Sequence, residues 1–454
     1  MPKKKIVVFV FICFFYLSTR AGAQEASFDY GGDLRFRVFY RQADETFDKN
    51  DKKTRDLYQI RGRLFGTVSL FDEMLELQGQ IRMPHYFGDD YADHLNDSKI
   101  EIDLANFKLN NIFDWPFELT VGKQELRYGE GFLTGDRDVF RDFTEDDPEN
   151  FTAVKLRFLA DRFWLDGFYS RIYQPDASLP DYIGEHDFAG VVAHYEFASL
   201  EAGPEDDNGA ERTFLSDDFP EDTFLAGRDS KYVIEPYLFF NNDLSRKLHN
   251  HPNKIKVWIV GGRAAGEILE NFRLKGEICY EWGDFRNYSF PLPKRDYRSW
   301  GGYLGGEYCF PYRYSPSLAL TLINFTGEEY PDSGDYNAFH PLFRSERFGE
   351  LHTKYTEDNK RIFRTTFRCQ PADKFNFLLE WFDYQAIEKP LDREGKHDGD
   401  EIDLRLDYQF NEHLSFALFT GWFIPGDYFP GGVITRRSGD DVRMQIMGEM
   451  GLRF

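Results

Sequence analysis

Long stretches in which apolar and polar residues alternate with a period of two recur along almost the whole chain, and few folds accept that pattern. Near the amino end Phe28, Tyr30, Leu34, Phe36, Val38 and Tyr40 alternate with Asp29, Asp33, Arg35, Arg37 and Arg41. In the middle Phe272, Leu274, Ile278, Tyr280 and Trp282 alternate with Arg273, Lys275, Glu277 and Glu281. Further on, Ile402, Leu404, Leu406, Tyr408 and Phe410 alternate with Glu401, Asp403, Arg405, Asp407 and Gln409. A strand so patterned has one apolar face and one charged face. In a soluble sandwich the apolar face packs on a second sheet. The stretches here run roughly nine to thirteen residues, which suits a tilted membrane-crossing strand better than the usual five or six. Aromatic residues gather near their ends (Tyr58, Tyr169, Trp282, Trp300, Trp381, Trp422), where the girdles of a membrane barrel lie.

Composition agrees once the alternation is taken into account. Mean hydropathy is only −0.56, and no apolar run approaches the roughly eighteen residues of a membrane helix. Yet 18% of the chain is aromatic, with 47 Phe and 26 Tyr. Both facts fit barrel strands, in which only every second residue meets lipid.

The expected fold is all-β, an antiparallel up-and-down transmembrane barrel of about eighteen strands, an even number. The strands are expected near 28–41, 56–70, 74–84, 99–110, 116–126, 151–160, 162–171, 186–198, 231–241, 254–262, 270–283, 299–310, 315–324, 360–370, 374–384, 400–410, 413–423 and 441–454. The apolar phase slips at 254–262 and 99–110, where bulges are expected. Short turns such as Phe71-Asp72-Glu73, Ala160-Asp161 and Asn411-Glu412 alternate with long connections such as 127–150, 325–359 and 424–440. This is the rhythm of periplasmic turns and extracellular loops. The acidic stretch 199–230 breaks it: either a strand pair is miscounted, or a periplasmic segment folds under or into the pore.

The amino end reads as a secretory signal. Lys3, Lys4 and Lys5 precede the apolar run Ile6–Leu17, and Ala21-Gly22-Ala23 supplies a cleavage pattern. Residues 1–23 are expected to be a signal peptide and 24–454 the barrel. The run is too short to span a bilayer, and Cys13 lacks the preceding small residues of a lipoprotein anchor. In the last stretch Val442, Met444, Ile446, Met450, Leu452 and Phe454 keep the outward phase, which resembles the signal read by the outer-membrane assembly machinery, an expected partner alongside outer-membrane lipid. From a net charge of −23, loss of Lys3, Lys4, Lys5 and Arg20 leaves −27, which argues against nucleic acid as a partner. Cys279, Cys309 and Cys369 show no metal-ligand spacing; Cys279 and Cys309 either pair or stand as single small residues. No metal, cofactor or energy-coupling motif is expected.

Eighteen strands leave an aqueous lumen, which by alternation inherits the charged face. Its cationic candidates are Arg35, Arg37, Arg61, Arg63, Arg82, Lys155, Arg157, Arg273, Lys275, Arg364, Arg368, Arg405 and Arg443. Its acidic ones include Asp33, Glu76, Glu101, Asp103, Glu118, Glu277, Glu281, Glu380, Asp403, Asp407 and Glu449. Arg outnumbers Lys, which suits bidentate recognition of carboxylates. The alternative is a cross-strand ion-pair lattice that stiffens the wall. Arg35, Arg37, Arg61 and Arg63 form the cluster with the fewest intervening acids.

Two further stretches carry a family resemblance. The run Val121-Gly122-Lys123-Gln124-Glu125-Leu126-Arg127-Tyr128-Gly129-Glu130, followed by Gly135-Asp136-Arg137-Asp138, resembles the Gly-Arg-Gln strand end and Gly/Asp/Arg loop of the alginate export porin family, with Lys123 in place of Arg. Ser333-Gly334-Asp335, then Ala338-Phe339-His340-Pro341-Leu342-Phe343 and Phe348-Gly349, resembles a second feature of that family, with His340 in place of Asp. The resemblance implies an eighteen-stranded barrel exporting or importing an anionic polysaccharide or its oligomers, with loops gating the pore and a periplasmic partner possible. It makes Lys123, Arg127 and Arg137 candidate contacts at the extracellular mouth. The lumen read from alternation is nearly balanced in sign, whereas a polyuronate conduit should be strongly positive.

Passive, selective passage of hydrophilic solutes is therefore the leading reading, with a general diffusion pore as its alternative. A membrane-embedded hydrolase needs a nucleophile or an acid beside His; His85, His186, His249, His251 and His340 have no accompanying nucleophile motif, so no catalytic residue is assigned. A structural or adhesive barrel plugged by its own loops is the third reading.

Overall fold

The computed structural model describes residues 26–42, 55–88, 100–135, 150–175, 183–197, 232–243, 247–248, 251–287, 294–328, 334–352, 358–389, 395–427 and 442–454. The expected signal peptide 1–23, the acidic stretch 199–230, Arg137 and His249 lie outside them.

Every alternating stretch forms a strand. They are β1 (Ser27–Gln42), β2 (Arg55–Leu70), β3 (Leu75–Gly88), β4 (Glu101–Leu109), β5 (Phe117–Gln124), β6 (Phe151–Ala160), β7 (Phe163–Pro175), β8 (Ile183–Phe197) and β9 (Tyr232–Asp243). They continue as β10 (His251–Leu269), β11 (Phe272–Asn287), β12 (Arg295–Cys309), β13 (Ser317–Phe325), β14 (Lys360–Ala372), β15 (Phe375–Ala386), β16 (His397–Gln409), β17 (Leu414–Pro425) and β18 (Arg443–Arg453). Each pairs antiparallel with the next, and β18 pairs back onto β1 through Leu34↔Leu452 and Tyr40↔Ile446. Gly32 and Phe454 exchange both backbone hydrogen bonds, at 2.9 and 3.0 Å. The eighteen-stranded sheet is thus closed and has no edge, the condition for β-structure in lipid. A two-residue strand, Lys247–Leu248, adds only to the start of β10.

Alternation sets the two faces. Leu34, Val38, Leu64, Leu77, Val154, Leu165, Val191, Leu238, Ile278, Leu304, Leu320 and Leu418 are exposed on the outer wall, whereas Arg35, Arg37, Gln59, Arg61, Arg82, Asp166, Glu235, Glu281 and Glu401 are buried on the inner one. Both chain ends and the short turns share one rim, which is therefore periplasmic. Since β8 and β9 pair directly, through His186↔Asp243 and Tyr195↔Ile234, no strand pair was miscounted around 199–230.

One of the two expected bulges is present. Gln80 pairs with Leu104 and Ile81 with Ile102, so Asp103 is the extra residue on β4. It turns inward and accepts hydrogen bonds from Asn150 (2.7 Å) and Gln80. The bulge expected at 254–262 does not occur. β10 runs in unbroken register with β9 from Ile255↔Asp243 to Ala265↔Val233. The alternation is broken there because both faces are apolar: Trp258 and Val260 face lipid, while Ile255, Val257 and Ile259 are buried inside. Cys279, Cys309 and Cys369 are all free thiols.

Because Leu320 lies midway along β13 and faces lipid, at 50% exposure, Leu320→Arg should destabilise the refolded barrel by about 2–4 kcal/mol. Denaturant unfolding in lipid vesicles measures this; an effect near zero would place Leu320 off the lipid wall.

Candidate functional site

The interior divides into a charged half and an apolar half. On the charged half, Arg35 stands directly opposite Arg61 across β1 and β2, and Arg63 opposite Arg82 across β2 and β3. Arg37 and Arg82 are only 1% and 0% exposed. Acids accompany them: Arg37 meets Glu449 at 2.5 Å, Arg63 meets Asp33 at 2.7 Å, Arg82 meets Glu101 at 2.8 Å and Arg405 meets Asp407 at 3.0 Å. Arg157 holds Asp166 through two hydrogen bonds of 2.6 and 2.8 Å. A separate small pocket is lined by Arg273, Lys275, Arg364 and Arg368, together with Gly305, Gly306, Thr321 and Glu307.

Two segments that begin at the long-loop rim fill the apolar half. The first follows β5 (125–135), and the second lies between β13 and β14 (334–352). They are joined to each other. The N–H groups of Ser345 (2.8 Å) and Glu346 (3.2 Å) donate to the Gly131 carbonyl, that of Phe343 donates to Leu133 and that of Gly135 to Phe343. Thr134 and Phe343 form a parallel bridge. The approach is so close that a Cβ on Gly131 would lie 2.0 Å from Ser345 Oγ, and one on Gly135 1.9 Å. Gly131 is also left-handed, at φ +81°.

Aromatic packing seats the pair on the wall. Phe132 meets Tyr303 at 5.3 Å and Phe325 at 5.6 Å, and Phe343 meets Phe151 and Phe188, each at 4.9 Å. The apolar cluster draws on β6 to β15 and β17, and none of its residues comes from β1 to β4. Burial of this kind contributes about 1.5–3 kcal/mol per large side chain.

Buried wall carboxylates hold the backbone of the second segment. Glu401 accepts the N–H groups of Glu350 (2.6 Å), Leu351 (2.7 Å) and His352 (3.0 Å), and the Tyr384 hydroxyl at 3.2 Å. Glu281 accepts the His340 N–H at 3.0 Å and the Ser299 hydroxyl at 2.5 Å. Conversely, Glu130 of the first segment reaches Lys275 (2.6 Å) and Arg263 (3.2 Å) on the wall. Tyr128 donates to Asp166 at 3.1 Å, and burial with that carboxylate beside it pushes its hydroxyl pKa well above the usual value. Arg347 pairs with Glu350 at 2.7 Å; burial lowers its pKa although that carboxylate raises it, and Arg405 and Arg35 lower it further.

Of the residues picked out from sequence, Arg35, Arg37, Arg61, Arg63, Arg82, Lys155, Arg157, Arg273, Lys275 and Arg405 stand on the inner face by strand register. Lys123 does not line the pore. Its neighbour Gln124 is buried inward, so Lys123 faces outward with its partner Thr152, and its ammonium donates to the Ile102 carbonyl at 2.6 Å. Arg127 is exposed at the start of the first segment. The two segments occupy part of the lumen that the strand count leaves. The two family-like stretches fall largely within those segments. His340 takes up its place by accepting the Leu342 N–H on Nδ1, at 3.0 Å, a bond that an Asp oxygen could also accept. The missed signal was the inward apolar set Ile255, Val257 and Ile259, which only a filled interior explains.

His352 makes the docking sensitive to pH. Its ring stacks on Phe423 at 4.4 Å and approaches Asp398 at 3.3 Å, but Lys360 already neutralises that carboxylate. Burial is the largest influence and pushes the imidazole pKa down to about 4. An undocked imidazole titrates near 6.5, so the undocked state takes up protons first as pH falls. The contribution of His352 to docking is therefore fully present above about pH 6.5 and is lost progressively toward pH 4. Amide exchange across 339–352, corrected for intrinsic rate, should accelerate over that window in the natural chain and lose this pH dependence in His352→Asn.

The family model described as alginate export matches residues 230–438, the span from β9 through β17 that includes the second segment. No curated protein sequence matches the chain. Among solved structures, the outer-membrane protein OpdK of Pseudomonas aeruginosa is similar with a TM-score of 0.54 at 12% identity, over 94% of this chain and 98% of its own. OccAB3 of Acinetobacter baumannii gives a TM-score of 0.54 at 10% identity, over 94% and 100%. OccK11 (OpdR) of Pseudomonas aeruginosa gives 0.52 at 11%, over 94% and 96%. At such identities the likeness is one of fold. The chain has the closed β-barrel fold of bacterial outer-membrane porins, and its residues 230–438 match the alginate export family model.

Proposed function

We propose that the barrel is a passive, charge-selective channel for hydrophilic anionic saccharides, a polyuronate or its oligomers, and that it has no catalytic role. The observation that carries this reading is the direct opposition of Arg35 to Arg61 and of Arg63 to Arg82 on the inner wall. Like charges facing each other across a strand pair are destabilising; Asp33 and Glu101 offset part of that repulsion, and a passing carboxylate would offset more of it with bidentate geometry. The match to the alginate export family supports the same substrate class.

The acids of the lumen divide by what they hold: Asp33, Glu101, Glu449 and Asp407 pair with the arginines. Glu130, Glu281 and Glu401 are committed to seating the inner segments, so they do not face a solute as free anions. The pocket of Arg273, Lys275, Arg364 and Arg368 is a second place for uronate carboxylates. In this reading a polymer passes only when the two segments swing out together, since each is hydrogen-bonded to the other. The histidines serve packing: His352 stacks on Phe423, and His186 meets Asn241 at 2.6 Å.

Planar-bilayer recording of the refolded protein tests the reading. Oligouronates should block the current, and neutral oligosaccharides of equal length should block it at least about tenfold more weakly, the difference one charged hydrogen bond makes. Replacing Arg35 and Arg61 with Gln should move the reversal potential toward cation selectivity and weaken the oligouronate block. Equal block by both sugars would leave a general diffusion pore. An unchanged reversal potential would make these arginines part of a stiffening lattice.

A further inference from the structure

The lipid-facing wall carries an arrangement that solute passage does not use. Trp258 on β10 and Trp282 on β11 stand directly opposite each other, exposed on the outer face with Trp300 of β12 nearby. Toward the long-loop rim, the next outward rung pairs Lys256 with Asp284, and the one beyond pairs Lys254 with Arg286. At about 3.4 Å per residue and a strand tilt near 40°, these rungs stand about 5 and 10 Å beyond the tryptophans along the membrane normal. Interfacial Trp marks the headgroup level. The three cations therefore lie among the headgroup phosphates of the outer leaflet.

The protein does not neutralise them. Asp284, the acid opposite Lys256, is held by Lys294. The Lys256 ammonium lies 5.8 Å above the Phe240 ring. Among the described residues, Lys254, Lys256 and Arg286 form no ion pair. The flanking outward cations differ: Arg171 pairs with Asp187 at 2.9 Å and Arg298 with Asp335 at 3.2 Å. Cations without an acid partner thus cluster on β10 and β11, whereas Lys123 and Arg361 stand singly elsewhere on the outer wall, on a backbone carbonyl and on Asn324. The opposition of Lys254 and Arg286 is the telling feature, because like charges directly across an antiparallel pair repel. Interior packing does not force it, since the buried neighbours Ile255 and Phe285 point the other way.

We propose that Lys254, Lys256 and Arg286 bind a phosphate-bearing lipid of the outer leaflet. Its acyl chains lie along Trp258 and Trp282, and its phosphate sits between the three cations. Arg286 supplies a planar fork for two phosphate oxygens, and the lysines act as point charges.

Native mass spectrometry of the refolded barrel tests this with bisphosphorylated lipid A, the same lipid dephosphorylated, inorganic phosphate and an oligouronate. The protein should retain the phosphorylated lipid at least about tenfold more than the dephosphorylated one, as expected for several cations near an anionic headgroup. The triple variant Lys254→Gln, Lys256→Gln, Arg286→Gln should lose that preference, while Arg171→Gln keeps it. Lys254→Arg with Lys256→Arg should also keep it, and heat-modifiable mobility confirms that each variant is folded. Channel conductance of the triple variant should be unchanged, which separates this proposal from the reading of the lumen. Equal retention by the triple variant, or equal retention of both lipids, overturns the proposal. So does displacement of the lipid by oligouronate or inorganic phosphate, which would make the site one for soluble anions.

Discussion

Everything in this molecule follows from the requirement that backbone polar groups be paired where no water can reach them. A closed antiparallel sheet meets that requirement, and here closure is made by the pairing of β1 with β18, with Phe454 bonded to Gly32. Once the sheet is closed, each residue faces either lipid or the interior. Within the hydrocarbon layer, charged side chains then have nowhere to go but inward. The Arg-rich wall is in that sense a consequence of the membrane before it is a device for any solute.

The same requirement governs the segments that enter the barrel. Irregular backbone inside a barrel still needs hydrogen-bond partners, and here the wall supplies them with carboxylates. Glu401 alone takes three successive backbone N–H groups. With the Tyr384 hydroxyl, these bonds occupy both of its oxygens. Apolar packing of Phe132, Phe339 and Phe343 against the wall then covers the remaining area.

The fold was almost wholly legible in the sequence, because a period of two over long strands has only one solution that also explains so many aromatic residues. Strand count, orientation and the β4 bulge all followed from it. The interior was legible in identity but not in arrangement. Alternation correctly turned Arg35, Arg61 and Arg405 inward, yet it said nothing about whether water or protein would meet them. Lys123 was misplaced because a motif, rather than the phase of its own strand, had assigned it; Gln124, one residue on, marks the inward phase. At Ile255, Val257 and Ile259 an apolar inner face was read as irregularity, since a water-filled lumen gives no reason for one. A filled lumen does.

The contact of Gly131 and Gly135 with Ser345 also bears on how this barrel can vary. Loops at the outer rim of a barrel ordinarily accept insertions and substitutions freely, since nothing packs on them. These two connections cannot drift independently, because a side chain at 131 or 135 would occupy the space of the Ser345 hydroxyl. Two stretches more than two hundred positions apart therefore behave as one heritable unit, and a change in either is tolerated only with a matching change in the other. For the same reason they are poor places to graft an epitope or a binding peptide onto this surface.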